Sequence, residues 1–172
     1  MLRWWSAVAV PAVFVLGWAV GRGTTPLDSW LLAIDGPDWL IWFIKPWVLA
    51  AVLVATCAVA LWRGHWRLAL VVALCPPVAV AAAQGLKRVF GRELDGGLAY
   101  PSGHVTALVA IAGMVILVAG MKRWVVMCAA AVVAVEMYAV GTTFHYFTDT
   151  VGALLLGTAA VAIAVQLAGR RS

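Results

Sequence analysis

Long apolar runs alternate with short polar segments along the chain, and the length of these runs predicts helices that cross a membrane. A transmembrane helix needs about 20 consecutive, mostly apolar residues. Six runs approach this length, and they predict spans over residues 4–20, 46–62, 68–86, 104–121, 124–140 and 149–168. The pattern therefore predicts an all-α integral membrane bundle of six transmembrane helices, with residues 1–172 forming a single domain.

The first run raises the question of a cleaved signal peptide, because Arg3 precedes its apolar stretch. No small-x-small cleavage site closes that stretch before Gly21, and five further runs follow it. We therefore expect a retained first helix rather than a removed leader.

Composition narrows the class of protein further. Hydrophobic residues make up 65% of the chain and charged residues 11%, with a mean hydropathy of +1.02, whereas soluble domains carry about 25% charged residues. We attribute the net charge of +5 to basic residues that flank the predicted spans. No basic stripe is interleaved with aromatic residues, so this charge does not indicate nucleic-acid binding. We expect the lipid bilayer and no nucleic acid as a partner, and the oligomeric state stays open.

The three cysteines lie inside apolar runs and indicate neither a disulfide nor a metal site.

The distribution of charge between the connecting segments predicts the orientation of the bundle. With six spans, both termini share one side with residues 63–67 and 122–123, and this side holds seven basic residues against five on the other. The opposite side holds six of the seven acidic residues. Because cytoplasmic loops are enriched in Lys and Arg, we place both termini in the cytoplasm and residues 87–103 on the extracytoplasmic side of the cell membrane.

Two polar segments on the predicted extracytoplasmic side carry groups that suit a phosphate ester. Lys87, Arg88 and Arg92 can neutralise phosphate oxygens, and an Arg side chain offers a two-pronged set of donors. Ser102 and Gly103 stand where the fourth span begins, and the unpaired N–H groups of a helix N-terminus bind anions. These five residues are the predicted substrate-binding residues.

Three further residues have the chemistry of a nucleophile, its orienting partner and a general acid. His145 and Asp149 are four residues apart, so a helical turn places them on one face. The carboxylate fixes the tautomer of the imidazole and leaves its other nitrogen as a nucleophile. His104 can protonate the leaving oxygen. Because the cations and the helix terminus stabilise the developing charge, we expect no metal and no cofactor.

The Pro-Ser-Gly-His block at residues 101–104, the His145-x-x-x-Asp149 spacing and the basic segment upstream resemble the three motifs of the type 2 phosphatidic acid phosphatase family. The resemblance covers residues 84–157. It implies a six-helix membrane phosphatase that acts on lipid phosphates through a phosphohistidine. By this resemblance His145 is the nucleophile, Asp149 orients it and His104 is the general acid.

Two positions depart from the family motifs. The first motif of the family is Lys-x6-Arg-Pro, and counting from Lys87 puts Leu94 at the position of the Arg. The third motif has an Arg six residues before its His, where this chain has Ala139. We expect Arg88 or Arg92 to supply the missing positive charge.

The same residues also permit plainer interpretations. His104 can be an interfacial helix-start residue, the pair of His145 and Asp149 a helix cap, and the basic residues contacts to lipid headgroups. Glu136, inside the fifth predicted span, is either functional or paired near the membrane surface. Three acidic residues between the first two spans are expected to be solvated loop or turn residues: Asp28, Asp35 and Asp38.

The sequence thus predicts an enzyme, a phosphoric monoester hydrolase or a diphosphatase, that acts on a membrane lipid phosphate of polyprenyl or phosphatidic type. The short loops leave little protein for recognition of a large headgroup, which favours the polyprenyl type. A non-catalytic lipid-phosphate carrier or scaffold is the alternative of another class. A lipid phosphotransferase on the same fold is the intermediate case.

Overall fold

The computed structural model describes residues 2–34, 36 and 38–169, and this part of the chain is almost wholly helical. Asp35, Arg170 and Arg171 lie outside the described residues, as do the side chains of Arg3 and Asp38. The elements are, in chain order, α1 (Leu2–Val20), α2 (Pro26–Leu32), a 3₁₀ helix (Asp38–Ile44), α3 (Pro46–Trp62), α4 (Trp66–Phe90), β1 (Glu93–Leu94), β2 (Gly97–Leu98), α5 (Gly103–Ala119), α6 (Arg123–Thr143) and α7 (Phe147–Gly169).

Each of the six apolar runs forms a helix, so the predicted all-α class is confirmed at that level. Three helices, α4, α6 and α7, are long and apolar enough to cross a membrane. The apolar parts of α1, α3 and α5 are shorter, at Trp4–Val20, Pro46–Trp62 and Gly103–Ala119. The structure therefore shows a helical protein with three candidate membrane spans among the described residues.

Short connections between α3 and α4, α5 and α6, and α6 and α7 make these neighbouring helices run in opposite directions. Only residues 63–65 separate α3 from α4, and only residues 144–146 separate α6 from α7. The starts of α5 and α7 are joined directly, since the Ser102 N–H donates to the Asp149 carbonyl at 3.1 Å. At the opposite end, Arg63 donates to the Val118 carbonyl and links the end of α3 to the end of α5. We call the end where α3, α5 and α7 begin the polar end, and define it by Arg92, Ser102 and Asp149.

A buried aromatic cluster fixes the loop that leads into α5. Tyr100 is fully buried, its ring meets Phe90 edge-on at 5.0 Å, and its hydroxyl donates to the Val13 carbonyl at 2.6 Å. Burial of the phenol raises the pKa of Tyr100, so the hydroxyl stays a donor. A Cβ at Gly152 would overlap the Tyr100 ring, so α7 approaches this closely only because residue 152 is glycine. The loop is thereby held between α1, α4 and α7.

The C-terminal end of α4 differs from the sequence prediction. Helix α4 continues four residues past predicted residue 86 and ends at Gly91, which adopts the left-handed conformation (φ 58°) typical of a helix C-terminus. Lys87 and Arg88 consequently lie in the last turn of α4 and not in a loop. Helix α2, the 3₁₀ helix and the hairpin of β1 and β2 were not predicted, because each is shorter than the window in which hydrophobic periodicity is visible.

Candidate active site

His145 and Asp149 face each other at the polar end. His145 lies in the connection between α6 and α7, and Asp149 lies in the first turn of α7. The distance from His145 Nδ1 to Asp149 Oδ2 is 3.5 Å, and neither atom has a hydrogen-bond partner among the described residues. The His145 side chain is 10% exposed, whereas the Asp149 side chain is fully buried. This arrangement turns Nδ1 toward the carboxylate and leaves Nε2 as the nitrogen available to a ligand.

His104 lies beside His145, with the ring of Phe144 packed against both. The centroid of Phe144 is 5.7 Å from His104, edge to face, and 5.4 Å from His145. The two imidazoles are close enough for their charges to interact, and the charge of Lys87 also reaches His104. His104 is exposed, unlike His145. His145 is therefore nearly enclosed beside Asp149, while His104 is open to the surface.

Helix α5 begins at this site with backbone donors that are not used by the protein. Ser102 is the N-cap residue, and its hydroxyl accepts a long hydrogen bond of 3.5 Å from the Val105 N–H. Within the described chain, no acceptor contacts the backbone N–H of Gly103 or of His104. A helix N-terminus with free N–H groups and a positive dipole end attracts anions. The absence of a side chain at Gly103 leaves room, since a Cβ there would lie 3.2 Å from Gln84 Nε2.

The two basic residues of the last turn of α4 differ in how far they are engaged. Lys87 is half-buried, and its Nζ donates to the Leu98 carbonyl of the hairpin at 2.6 Å. Its charge also interacts with Asp149. Arg88 is exposed, with no partner among the residues described. Lys87 therefore lies near His104 and Asp149, whereas Arg88 is free to extend toward solvent or headgroups.

Arg92 has a different position from the one expected of a phosphate ligand. Its side chain is fully buried, and its guanidinium uses all five N–H donors within the protein. Nη1 donates to Asp149 Oδ1 and to the Thr148 hydroxyl, both at 2.7 Å. Nη2 donates to Asp28 Oδ2 at 2.7 Å and to the Gly23 carbonyl at 2.8 Å, and Nε donates to the same carbonyl at 3.1 Å. No donor is left over for a substrate, so its predicted role requires revision.

Asp28 was predicted to be a solvated turn residue, and this prediction is wrong. Its side chain is fully buried, because the short helix α2 folds back over the start of α7. Its carboxylate accepts from the Thr148 N–H at 2.9 Å and from Arg92, and both the N–H and the hydroxyl of Thr25 donate to it. Burial by itself would raise the pKa of this carboxyl, but the hydrogen bonds from Thr148, Arg92 and Thr25 outweigh burial and lower it.

Together these contacts form a buried network that sequence reasoning did not find. Its core is Asp28, Arg92, Thr148 and Asp149, and the Tyr146 ring covers the guanidinium carbon at 4.1 Å. The only local signal was the capping box in which Thr25 and Asp28 cap α2 reciprocally. That signal predicts a helix start, but it contains no information about the distant partner.

Three other positions complete the account of the site. Leu94 is half-buried in β1 and Ala139 is fully buried in α6, so neither motif position carries a cation at the surface of the site. Glu136 is 2% exposed, and its Oε2 has no hydrogen-bond partner in the described part of the chain. Within residues 2–34, 36 and 38–169, no three His, Cys, Asp or Glu side chains form a cluster suited to a metal ion.

Comparison of the chain with protein-family models, with curated proteins and with solved structures gives no significant match. The structure itself defines a helical protein in which three of the described helices, α4, α6 and α7, are long and apolar enough to cross a membrane.

Proposed function

We propose that the protein is an integral membrane phosphatase that hydrolyses a lipid phosphate. The observation that carries this proposal is the meeting of three elements at the polar end: the fixed pair of His145 and Asp149, the exposed His104, and the unused N–H groups that begin α5. A nucleophile, a proton donor and an anion site in one place are the parts that transfer of a phosphoryl group to an imidazole requires.

The proposal includes six membrane crossings. Helices α4, α6 and α7 have sufficient length, and a 17-residue helix is about 26 Å long, close to the hydrocarbon thickness of about 30 Å. In this proposal the six apolar helices cross the membrane in alternating directions, and the polar end lies at one membrane surface. The excess of basic residues at the other end favours the extracytoplasmic side for the site, with both termini in the cytoplasm.

The proposed reaction has two steps. In the first step His145 Nε2 attacks phosphorus, the P–N bond forms and the bond from phosphorus to the lipid oxygen breaks. His104 donates its proton to that oxygen, so the lipid leaves as an alcohol. In the second step water attacks phosphorus, the P–N bond breaks, and His104 accepts the proton of the water. Asp149 stabilises the positive charge that His145 carries while it is phosphorylated.

Phosphate is held in this scheme by few groups. Lys87 and the N–H groups of Gly103 and His104 contact its oxygens, and the exposed Arg88 approaches from the rim. Ser102 supports the site as the cap of α5. The substrate carries its tail in the bilayer, and the short connecting segments suit a compact headgroup, either of polyprenyl or of phosphatidic type. No metal or cofactor is assigned a role in these steps.

A non-catalytic carrier or scaffold remains the alternative of another class, and a phosphotransferase is the third possibility. The uncharged positions Leu94 and Ala139 favour the carrier, because fewer cations than in the family motifs surround the site. The arrangement of His145 beside Asp149 favours catalysis, because a carrier does not require a nucleophile with an oriented tautomer.

The test is phosphate release by the purified protein in detergent, with EDTA present, from polyprenyl phosphate, polyprenyl diphosphate and phosphatidic acid. His145→Ala is expected to lower kcat by at least about 1,000-fold, since loss of a nucleophile removes the covalent step. His65→Ala is the matched control, because His65 is an exposed histidine at the opposite end of the bundle.

Each outcome distinguishes the candidates. Release by wild type and by His65→Ala, but not by His145→Ala, supports the phosphatase. No release from any of the three lipids, with lipid phosphate still bound, rejects the phosphatase in favour of a carrier. Phosphate that leaves the lipid but appears on an added alcohol identifies a transferase.

A further inference from the structure

We propose that Asp28 and Arg92 are positioning residues for the reaction: they hold Asp149 and thereby orient His145, without contacting the substrate. This inference rests on the proposed function and adds to it two residues that the motifs do not assign to this role. Asp28 lies 64 positions before Arg92, and Arg92 lies 57 positions before Asp149, so the fold alone brings them together.

The two carboxylate oxygens of Asp149 have different neighbours. Oδ1 accepts from Arg92 Nη1 at 2.7 Å, whereas Oδ2 faces His145 Nδ1 at 3.5 Å. A short, charge-assisted hydrogen bond to one oxygen restricts the rotamer of a carboxylate side chain. Oδ2 is consequently presented to the imidazole in one orientation, and the tautomer of His145 depends on that orientation.

Acceptors within the protein hold the Arg92 side chain in place. An arginine with an unused donor can swing toward an anion, but here each of the five donors has an acceptor, and the Tyr146 ring covers the plane of the guanidinium. Asp28 supplies the second negative charge and binds Nη2 at 2.7 Å. Two carboxylates thus share one guanidinium, which holds Arg92 between Asp28 and Asp149.

Asp28 also contacts the backbone at the start of α7. Asp28 Oδ1 accepts from the Thr148 N–H at 2.9 Å, and the Thr148 hydroxyl also donates to this carboxylate. Thr148 lies between His145 and Asp149, so the contact fixes the first turn of α7 at the place where the pair is presented. Asp28 thus acts on the site twice, through Arg92 and through the helix start.

The experiment measures kcat and KM separately for Asp28→Asn and Arg92→Lys, with lipid phosphate in detergent. Because the phosphate contacts neither residue, we expect KM to stay within about twofold while kcat falls about 10-fold to 100-fold, as for other residues that support a catalytic group from behind. Glu93→Gln is the matched control, since Glu93 is an exposed acid next to Arg92. Circular dichroism and the thermal midpoint in the same detergent establish that each variant folds.

Two kinetic results would overturn the inference. A large increase in KM with kcat retained in Arg92→Lys would mean that Arg92 binds phosphate directly. Unchanged kcat and KM in Asp28→Asn would mean that the network serves stability alone. If Arg92→Lys does not fold, Asp28→Asn decides, because it preserves the shape of the side chain.

A second readout separates failure of this inference from failure of the proposed function. The rate at which diethyl pyrocarbonate modifies His145, followed by mass spectrometry, reports the state of the imidazole without any turnover. We expect this rate to change severalfold in Asp28→Asn and to stay as in wild type in Glu93→Gln. A protein that releases no phosphate but shows this change retains the positioning network and loses the phosphatase; equal rates in wild type and Asp28→Asn reject the network.

Discussion

Helices α5 and α7 begin side by side at the polar end, but the backbone N–H groups of their first turns differ in whether a protein group accepts from them. The start of α7 is filled from within, because Asp28 accepts from the Thr148 N–H and from Arg92. The start of α5 is left open, because the N–H groups of Gly103 and His104 have no acceptor among the described residues. Both helix ends attract negative charge for the same physical reason.

The difference assigns a separate task to each helix start. A protein carboxylate already occupies the anion position at α7, so that end is rigid and unavailable to a ligand. At α5 no protein group occupies the anion position among the described residues, and the proposed substrate phosphate would bind there. Four changes at the two helix starts, from the largest expected effect to the smallest, test this difference.

Arg92→Ala has the largest expected effect, because it leaves two buried carboxylates without their shared partner at the filled end. We expect a loss of about 3–5 kcal/mol in the free energy of unfolding. Arg88→Ala, at an exposed arginine four residues earlier, should change it by less than about 0.5 kcal/mol. Unfolding by denaturing detergent, followed by circular dichroism, measures both. Equal losses would contradict the contrast between a buried and an exposed arginine.

Gly103→Pro alters the open end by removing one of its unused N–H donors. Proline is tolerated at the first position of a helix, and the extended conformation of Ser102 (φ −64°, ψ 121°) suits a residue before proline. A hydrogen bond to a charged group is worth about 1.5–3 kcal/mol, so KM for lipid phosphate should rise about 10-fold or more.

Gly103→Ala is the control for this variant, since it adds a Cβ near Gln84 but keeps the N–H. An equal rise in KM for both variants would show that space, and not the donor, matters at residue 103.

Ser102→Ala tests how far the open end depends on its own cap. The hydroxyl of Ser102 accepts from Val105 at 3.5 Å, a long hydrogen bond, so its loss should lower the free energy of unfolding by about 1 kcal/mol. The thermal midpoint in detergent is the measurement. A loss as large as that of Arg92→Ala would mean that the two helix starts are equally dependent on internal partners.

Acidification should have the smallest effect on the stability of the protein, and it should act through Asp28 at the start of α7. The pKa of Asp28 in the folded protein lies below its ordinary value, so its contribution to stability is complete above the unfolded-state pKa of about 3.9. That contribution disappears as the pH falls through the lower folded-state pKa. The gap in thermal midpoint between wild type and Asp28→Asn should therefore be constant from pH 7 to pH 5 and shrink in stronger acid. A gap that widens in acid would reverse the assigned direction of the shift.

The helices could be predicted from the sequence because their signal is local. Each apolar run is a continuous window, and helix α3 begins and ends at the predicted residues 46 and 62. The start of the fourth apolar run likewise located Ser102 and Gly103 at the beginning of a helix, and Ser102 is the N-cap residue of α5. The structure confirms that the apolar runs form helices, whereas the six membrane crossings and the proposed reaction stay predictions.

The roles of Arg88 and Arg92 could not be separated in this way. The two arginines have the same chemistry, lie four residues apart and follow the same apolar run. What separates them is Gly91, where the chain leaves the helix and turns the second arginine into the protein. Asp28 shows the same limit, because its burial depends on partners 64 and 120 residues away. Periodicity and spacing describe neighbours in sequence, and these partners are neighbours only after folding.

The order of the network along the chain has a consequence for biogenesis. Asp28 is synthesised first, Arg92 follows after α4, and Thr148 and Asp149 appear only with the last helix. Until α7 is in place, the guanidinium lacks two of its acceptors, and the carboxylate of Asp28 lacks both donors of Thr148. An incomplete bundle therefore carries exposed, unsatisfied charges at its surface and differs chemically from the finished protein. Helix α7 contributes Asp149 of the proposed catalytic pair and also completes the polar network, so we expect both to be in place only after α7 has packed.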